Sequence, residues 1–227
     1  MTALLTLGSA RFLADPSGAL WWPEERALFV ADLHLEKGTS FARRGVMLPP
    51  WDTRATLDRL AEAVARYRPA LVVALGDSFH DADGAARLDP DDRGRLAALT
   101  GSGDWLWLTG NHDPGEATAA AFERAGIAFR HEAAPGCRPE VSGHYHPKAT
   151  ISVHGRRLSR RCFVGDGRRL ILPAFGAYAG GLDVREAAIA GWFPDGFTAY
   201  LAGERRITAV PSALLGVRST GTASLAL

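Results

Sequence analysis

Three short apolar runs limit what this 227-residue chain can fold into, because each breaks off into a fragment rich in Asp, Asn and His. ALFVA (27–31) runs into DLHLEKG, ALVVALG (70–76) into DSFHD, and WLWLTG (105–110) into NHDP. Runs this short and this apolar read as strands buried on both faces. The segments between them read as helices. In 51–68, Leu57, Leu60, Ala61 and Val64 share one face, with Asp52 as the expected N-cap and Pro69 as the stop. A second helix fits residues 89–99, and GEATAAAFERAG (115–126) predicts a third, closed by Gly126. Strand, helix, strand, helix, strand is α/β grammar. In such sheets ligands bind beyond the carboxyl ends of the strands, where these three polar fragments sit.

The flanking segments read differently. Residues 4–14 and 18–22 flank a DPSG turn and predict a hairpin. After Ile127 come short β runs separated by glycine turns: IAFRH, EVSGHYH, ATISVHG, RCFVGD, RRLILPAF, AAIAGWF and GFTAYLA. They predict a second, antiparallel-rich sheet packed on the first. The expected architecture is a four-layer α/β/β/α sandwich of two mixed sheets flanked by helices. Residues 1–211 are expected to form one domain and 212–227 a short tail.

The polar fragments carry metal chemistry. Asp32 and His34, like His144 and His146 in SGHYHP, are two residues apart, so along a strand each pair would point to one side. Asp77 just past a strand end can bridge two cations, and Asn111 offers a neutral carbonyl oxygen. Taken alone, each fragment is equally a turn aspartate, a cap or an exposed histidine. Together they make a hard-oxygen and imidazole donor set of the kind a two-metal hydrolase needs. His80 and Asp81 are either outer partners that orient a ligand or plain loop residues.

In this order, D-x-H, GD, GNHD and G-H-x-H resemble the calcineurin-like metallophosphoesterase superfamily. The resemblance implies that Asp32, His34, Asp77 and His146 hold one divalent ion. Asp77, Asn111, His131 and His144 would hold the other, with Asp77 bridging. His131 enters as the only histidine between the NHD and G-H-x-H fragments. His112 would act on the leaving group, with Asp113 holding its imidazole. Mn²⁺ is the first choice of metal for this mixed ligation, with Mg²⁺, Fe and Zn²⁺ as alternatives. ADLHLEKG, LGDSFHD, GHYHPKA, the CFVGDG turn and LPAFGAYAGGLDV further resemble PdeM-type phosphoesterases, described as ligase-associated DNA damage response endonucleases. Glu36 departs from that pattern, where glycine is more usual. The resemblance implies a DNA-cleaving phosphodiesterase with ligase or helicase partners. A small-molecule phosphoesterase, for cyclic nucleotides, dinucleoside polyphosphates or nucleotide-lipid pyrophosphates, would use the same metals.

The remaining features are less selective. The net charge of +1 gives the whole chain no pull toward nucleic acid. Lys37, Arg43 and Arg44 follow the first motif and can meet phosphates. The arginines at 156, 157, 160, 161, 168 and 169 either track a nucleic-acid backbone or guard a sheet edge. Trp21, Trp22 and Trp51 either stack on bases or pack internally, and Trp105 and Trp107 read as core. PAFGAYAGG (173–181) is expected to be a loop reaching the metal cleft. Cys137 and Cys162 read as unpaired thiols. The first residues lack the basic region of a signal peptide, and no apolar run approaches the ~20 residues of a membrane span. The chain is therefore expected in the cytoplasm.

Overall fold

The computed structural model describes residues 1–49, 51–112, 119–136, 139–153 and 155–215. The first sheet comprises β1 (Ala3–Leu7), β2 (Ala10–Ala14), β3 (Leu20–Trp22) and β4 (Ala27–Val30). Then come α1 (Lys37–Ala42), α2 (Asp52–Tyr67), β5 (Leu71–Ala74), α3 (Gly84–Arg87), α4 (Pro90–Thr100) and β6 (Asp104–Trp107). The sheet runs β1-β2-β3-β4-β5-β6, antiparallel from β1 to β4 and parallel from β4 to β6.

The second sheet uses β7 (Ala121–Arg124), β8 (Ile127–Arg130), β9 (Glu140–Ser142), β10 (Lys148–Val153), β11 (Arg156–Gly165) and β12 (Arg169–Ile171). After α5 (Ala187–Ala190), β13 (Thr198–Ala202) and β14 (Ile207–Pro211) complete it. Its order is β14-β13-β11-β12-β9-β8-β7, with β10 paired to β11. β8, β9 and β12 run parallel, and the other pairings are antiparallel.

Alternation along the strands sets the layers. In β4, Ala27 and Phe29 enter the core between the sheets, while Leu28 and Val30 join Leu57, Leu60 and Ala63 of α2 beneath the helices. In β11, Phe163 joins the central core, whereas Cys162 and Val164 turn outward toward Ile189 of α5 and Phe193. Phe29 and Phe129 stack across the two sheets with ring centroids 4.3 Å apart. The sandwich is therefore α/β/β/α, with a thick helical layer on the first sheet. The outer layer on the second is thin, made of α5 and the turns around it.

Several elements differ from the sequence expectation. Residues 4–14 are not one hairpin arm: they fold back at Gly8, whose φ of 60° suits a two-residue turn. The helix expected over 115–126 is not seen. Residues 113–118 lie outside the described residues, and 121–124 form β7, which turns through Ala125 and Gly126 at φ 48° and 74° into β8. Packing of Phe122 on Phe129 overrides the helical propensity of the alanines. Conversely, AAIAGWF is not a strand but holds α5. Asp52 does not cap its own helix: Trp51 occupies that position, and the Asp52 carboxylate accepts the Gly38 N–H at 2.9 Å. β14 was not anticipated. At the start of the tail, Ser212 accepts the Phe197 N–H, and Leu215 rests on the outer core.

Candidate metal centre

Every predicted ligand motif on the first sheet lies just past a strand end, where extended pairing stops and the chain must turn. Asp32 and His34 follow β4, Asp77 follows β5, and His144 and His146 follow β9. These five side chains do not converge by strand alternation. Asp32, His34, Asp77, His144 and His146 have φ of 55°, 44°, 50°, 71° and 47°, in the left-handed region that L-residues avoid. Such strain persists only where surrounding structure over-determines it, and it concentrates at functional sites.

The surrounding ties are visible. Asp32 N–H donates to Gly76 O, His34 N–H to Asp77 O, and Leu35 N–H to Ser78 O, which locks the first two loops together. The 173–181 loop approaches as expected: Phe175 and Gly176 donate their N–H groups to the carbonyls of Ala31 and Asp32. Two glycines let side chains in. A Cβ on Gly76 would lie 2.6 Å from His131 Nδ1, and one on Gly143 would lie 2.8 Å from Asp32 Oδ2.

Two imidazole pairs result. His34 Nε2 faces His146 Nε2 at 3.2 Å, and His131 Nε2 faces His144 Nδ1 at 3.1 Å. Asp32 Oδ1 is 3.4 Å from His146 Nε2. Asp77 Oδ2 lies between the pairs, 3.5 Å from His131 Nε2 and 3.9 Å from His34 Nε2. Both carboxylates are buried. The Asp32 carboxylate also accepts the His144 N–H at 3.0 Å, and Asp77 accepts that of His112 at 2.9 Å. His131 donates Nδ1–H to Leu75 O at 2.9 Å, since a carbonyl can only accept, and its Nε2 lone pair is left facing Asp77 and His144.

Burial pushes His34 down to about 3, with the neighbouring histidines adding to the effect against the pull of Asp32. Burial, then His131, lowers His144. Burial alone would raise Asp32, but the surrounding histidines outweigh it and hold the carboxyl below its usual range. Neutral imidazoles beside ionised carboxylates are the protonation states that metal ligation requires. Facing ring nitrogens with lone pairs to share, around two buried carboxylates, fit divalent cations. Asp32, His34 and His146, and likewise Asp32, Asp77 and His131, bring donor atoms within 4.8 Å of one another.

Other expected residues sit around this centre. His112 is 46% exposed, with Nε2 3.9 Å from Asp77 Oδ2. Its Nδ1–H donates to His80 O at 2.9 Å, a hold the sequence did not suggest. Asp113 lies outside the described residues. Asn111 is exposed beside His112 on the rim. His80 stacks on His112 with ring centroids 5.2 Å apart, and its Nδ1 is 3.4 Å from His34 Nδ1. Burial, then Lys37, pushes His80 down to about 4, and Arg44 adds to this, so both cations stand on the His80 side of the cleft. Asp81 is not turned to the histidines: it accepts two hydrogen bonds from Arg87, at 2.7 and 2.8 Å. Arg43 is paired with Asp83 at 3.1 Å. Glu36 sits at φ 63°, which explains why glycine suits this position, and its carboxylate accepts the hydroxyls of Thr39 and Thr53 at 2.6 and 2.9 Å.

Most of the arginine row is structural. Arg169 is buried against Glu140 at 2.6 Å and over the Trp192 ring at 4.4 Å. Arg168 pairs with Asp195. Arg156, Arg157 and Arg160 are exposed on the β10–β11 hairpin, and Arg161 is half-buried. Trp21 stacks on Tyr67 and Trp22 packs on Phe12, so both are internal, whereas Trp51 is 67% exposed. Trp105 and Trp107 stack on each other beside the helical core. Cys162 is buried, and Cys137 and His154 lie outside the described residues. Among the described residues, no helix is long and apolar enough to cross a membrane.

The family profile for calcineurin-like phosphoesterases matches residues 25–170, more than half of the chain. The chain belongs to this family. The crystal structure of Pseudomonas putida nuclease MPE superposes with a TM-score of 0.71 at 26% identity, covering 92% of this chain and 100% of that one. The E. coli phosphoesterase Yfce aligns at 13% identity and TM-score 0.42, covering 81% of this chain and 97% of its own. Entamoeba histolytica Vps29, solved with Zn²⁺, aligns at 16% and 0.36, covering 82% and 97%. Only the first of these three bears on this chain beyond the fold family. No curated protein matches the sequence. Family membership and the donor clusters make the chain a metal-dependent phosphoesterase that uses divalent ions.

Proposed function

We propose that this phosphoesterase is a dinuclear phosphodiesterase of the PdeM type, using Mn²⁺ to cleave DNA as an endonuclease in repair. One observation carries the dinuclear part: Asp77 Oδ2 stands between two imidazole pairs, within 3.9 Å of a nitrogen in each. Asp32, His34, Asp77 and His146 would hold one ion, and Asp77, Asn111, His131 and His144 the other. When bound, the ions supply Lewis acidity and a water of lowered pKa.

The chain's own groups do the rest. The left-handed loops fix the donor directions before substrate arrives, which removes reorganisation from the reaction. His112, exposed on the rim and oriented by the His80 carbonyl, protonates the departing oxygen at Nε2. Asp113 beside it helps hold the ring. Lys37 and Arg44 offer positive charge to phosphate oxygens, and Arg43 can join them by leaving its exposed partner Asp83. The likeness to nuclease MPE supports DNA as substrate, in the cytoplasm and with ligase or helicase partners.

The test is Mn²⁺-dependent hydrolysis of bis-p-nitrophenyl phosphate, p-nitrophenyl phosphate and DNA. Diester and DNA cleavage, lost in His112→Ala, is the expected result. Cleavage of the monoester alone would contradict it and redirect the search to small phosphorylated metabolites.

A further inference from the structure

Beside the metal centre, α2, the β10–β11 hairpin and the 173–181 loop enclose a cavity of about 290 Å³ lined by Arg59, His146, Lys148, Arg161 and Gly176. Three of these are cations that lack an acidic partner. Lys148 and Arg161 are directly opposed across β10 and β11, so their side chains share one face. Like charges in that position destabilise a sheet. Arg59 reaches in from α2 over the Phe175 ring at 5.0 Å.

Among the described residues, no carboxylate lies within ion-pair distance of Arg59, Lys148 or Arg161. The nearby Asp15 is already engaged, accepting from Arg66 at 2.8 Å and Tyr67 at 2.5 Å. Arg161 donates one hydrogen bond, to Pro16 O at 3.3 Å. Burial, then repulsion from Arg59, pushes the Arg161 guanidinium down to about 10. A half-buried cluster of unpaired cations costs stability, so the fold gains nothing by keeping it. A ligand that brings negative charge would offset that cost.

We propose that this cavity is a phosphate subsite, which holds a second, non-reacting phosphate of the substrate through Arg59, Lys148 and Arg161 while a neighbouring phosphate lies at the metal centre. His146 is both a wall of the cavity and a member of the donor set, so the two sites adjoin. In DNA the second phosphate is the next one along the backbone. In a dinucleoside polyphosphate it is the next phosphoryl group. The inference rests on the phosphodiesterase reading, and the DNA source is favoured with it.

The experiment compares kcat/KM for a single-stranded DNA oligonucleotide, diadenosine tetraphosphate and bis-p-nitrophenyl phosphate, which has one phosphate. It uses the Mn²⁺-loaded wild type, Arg59→Gln/Arg161→Gln and the charge-keeping Arg161→Lys. The DNA-to-diester ratio should fall at least about tenfold in the double glutamine variant, mainly through KM, and recover in part in Arg161→Lys. The salt slope of DNA binding should shrink by about two, one for each lost phosphate contact. A ratio that does not move overturns the subsite, including when all activities fall together through misfolding or a role in the chemistry. A wild type that cleaves the tetraphosphate but not DNA contradicts the nuclease reading. The subsite then stands only if the tetraphosphate-to-diester ratio falls in the same variant. A wild type that cleaves the single-phosphate diester alone overturns both.

Discussion

The strands and the loops that follow them obey opposite rules in this molecule. Phe29 and Phe129 lie on extended backbone and stack across the sheets, fully buried. Only two residues beyond the end of β4, Asp32 takes a left-handed φ, and His34, Asp77, His144 and His146 do the same. The strands supply stability through apolar area. The loops give some of it up, holding strained backbone and buried carboxylates in place with hydrogen bonds borrowed from one another. Stability and chemistry thus sit on adjacent residues and should respond separately to substitution.

The largest expected effect is on the loop side. Asp77→Asn keeps the size and the acceptor for the His112 N–H but removes the charge between the imidazole pairs. Activity should fall by at least about 10³-fold, matching the several kcal/mol a metal clamp provides. Metal content, by elemental analysis, should fall with it, while the melting temperature of the metal-free protein changes little. A fully loaded, active Asp77→Asn enzyme would break the separation. His112→Ala should lower kcat by about 10²–10⁴-fold with metal content retained. Loss of metal in that variant would make His112 a ligand, which its closeness to His34 and Asp77 also permits geometrically. On the strand side, Phe29→Ala should cost about 3–5 kcal/mol in urea unfolding. The kcat of the surviving folded fraction should stay near normal; a kcat loss on the His112 scale would show that core and loops are not separable.

The smallest effect concerns pH. Partial burial would raise Asp81, but the Arg87 hydrogen bonds outweigh it and hold the carboxyl at about 2. The group's folded pKa is depressed, so its contribution is present above the unfolded value of about 3.8 and lost as pH falls toward 2. After allowance for solvent screening it amounts to no more than about 1 kcal/mol. Arg87→Gln should remove that part of the acid dependence, and an unchanged acid-unfolding curve would refute it.

How much could be read from the chain follows the same division. The buried strands were legible because ALFVA, ALVVALG and WLWLTG leave few alternatives. The donor residues were legible from their types and spacing. The reason given for their convergence was not correct, since Asp32 and His34 meet through left-handed turns rather than along a strand. No local pattern announces such turns, because neighbouring loops impose them. The same blindness to tertiary context made 121–126 look helical, although Phe122 is drawn onto Phe129. It also left the arginine row unsorted: Arg169 is a buried partner of Glu140, while Arg161 faces an unpaired cavity. Arg59 carried no sequence signal, because its role depends on which face of α2 meets the 173–181 loop.

The central claim is that Asp77 bridges two metal ions. Anomalous diffraction at the manganese edge, on crystals grown with Mn²⁺, tests it directly. Two peaks about 3.5–4 Å apart, on either side of Asp77 Oδ2, are predicted, one beside His34 and His146 and the other beside His131 and His144. A single peak, or two peaks that do not share Asp77, would contradict it.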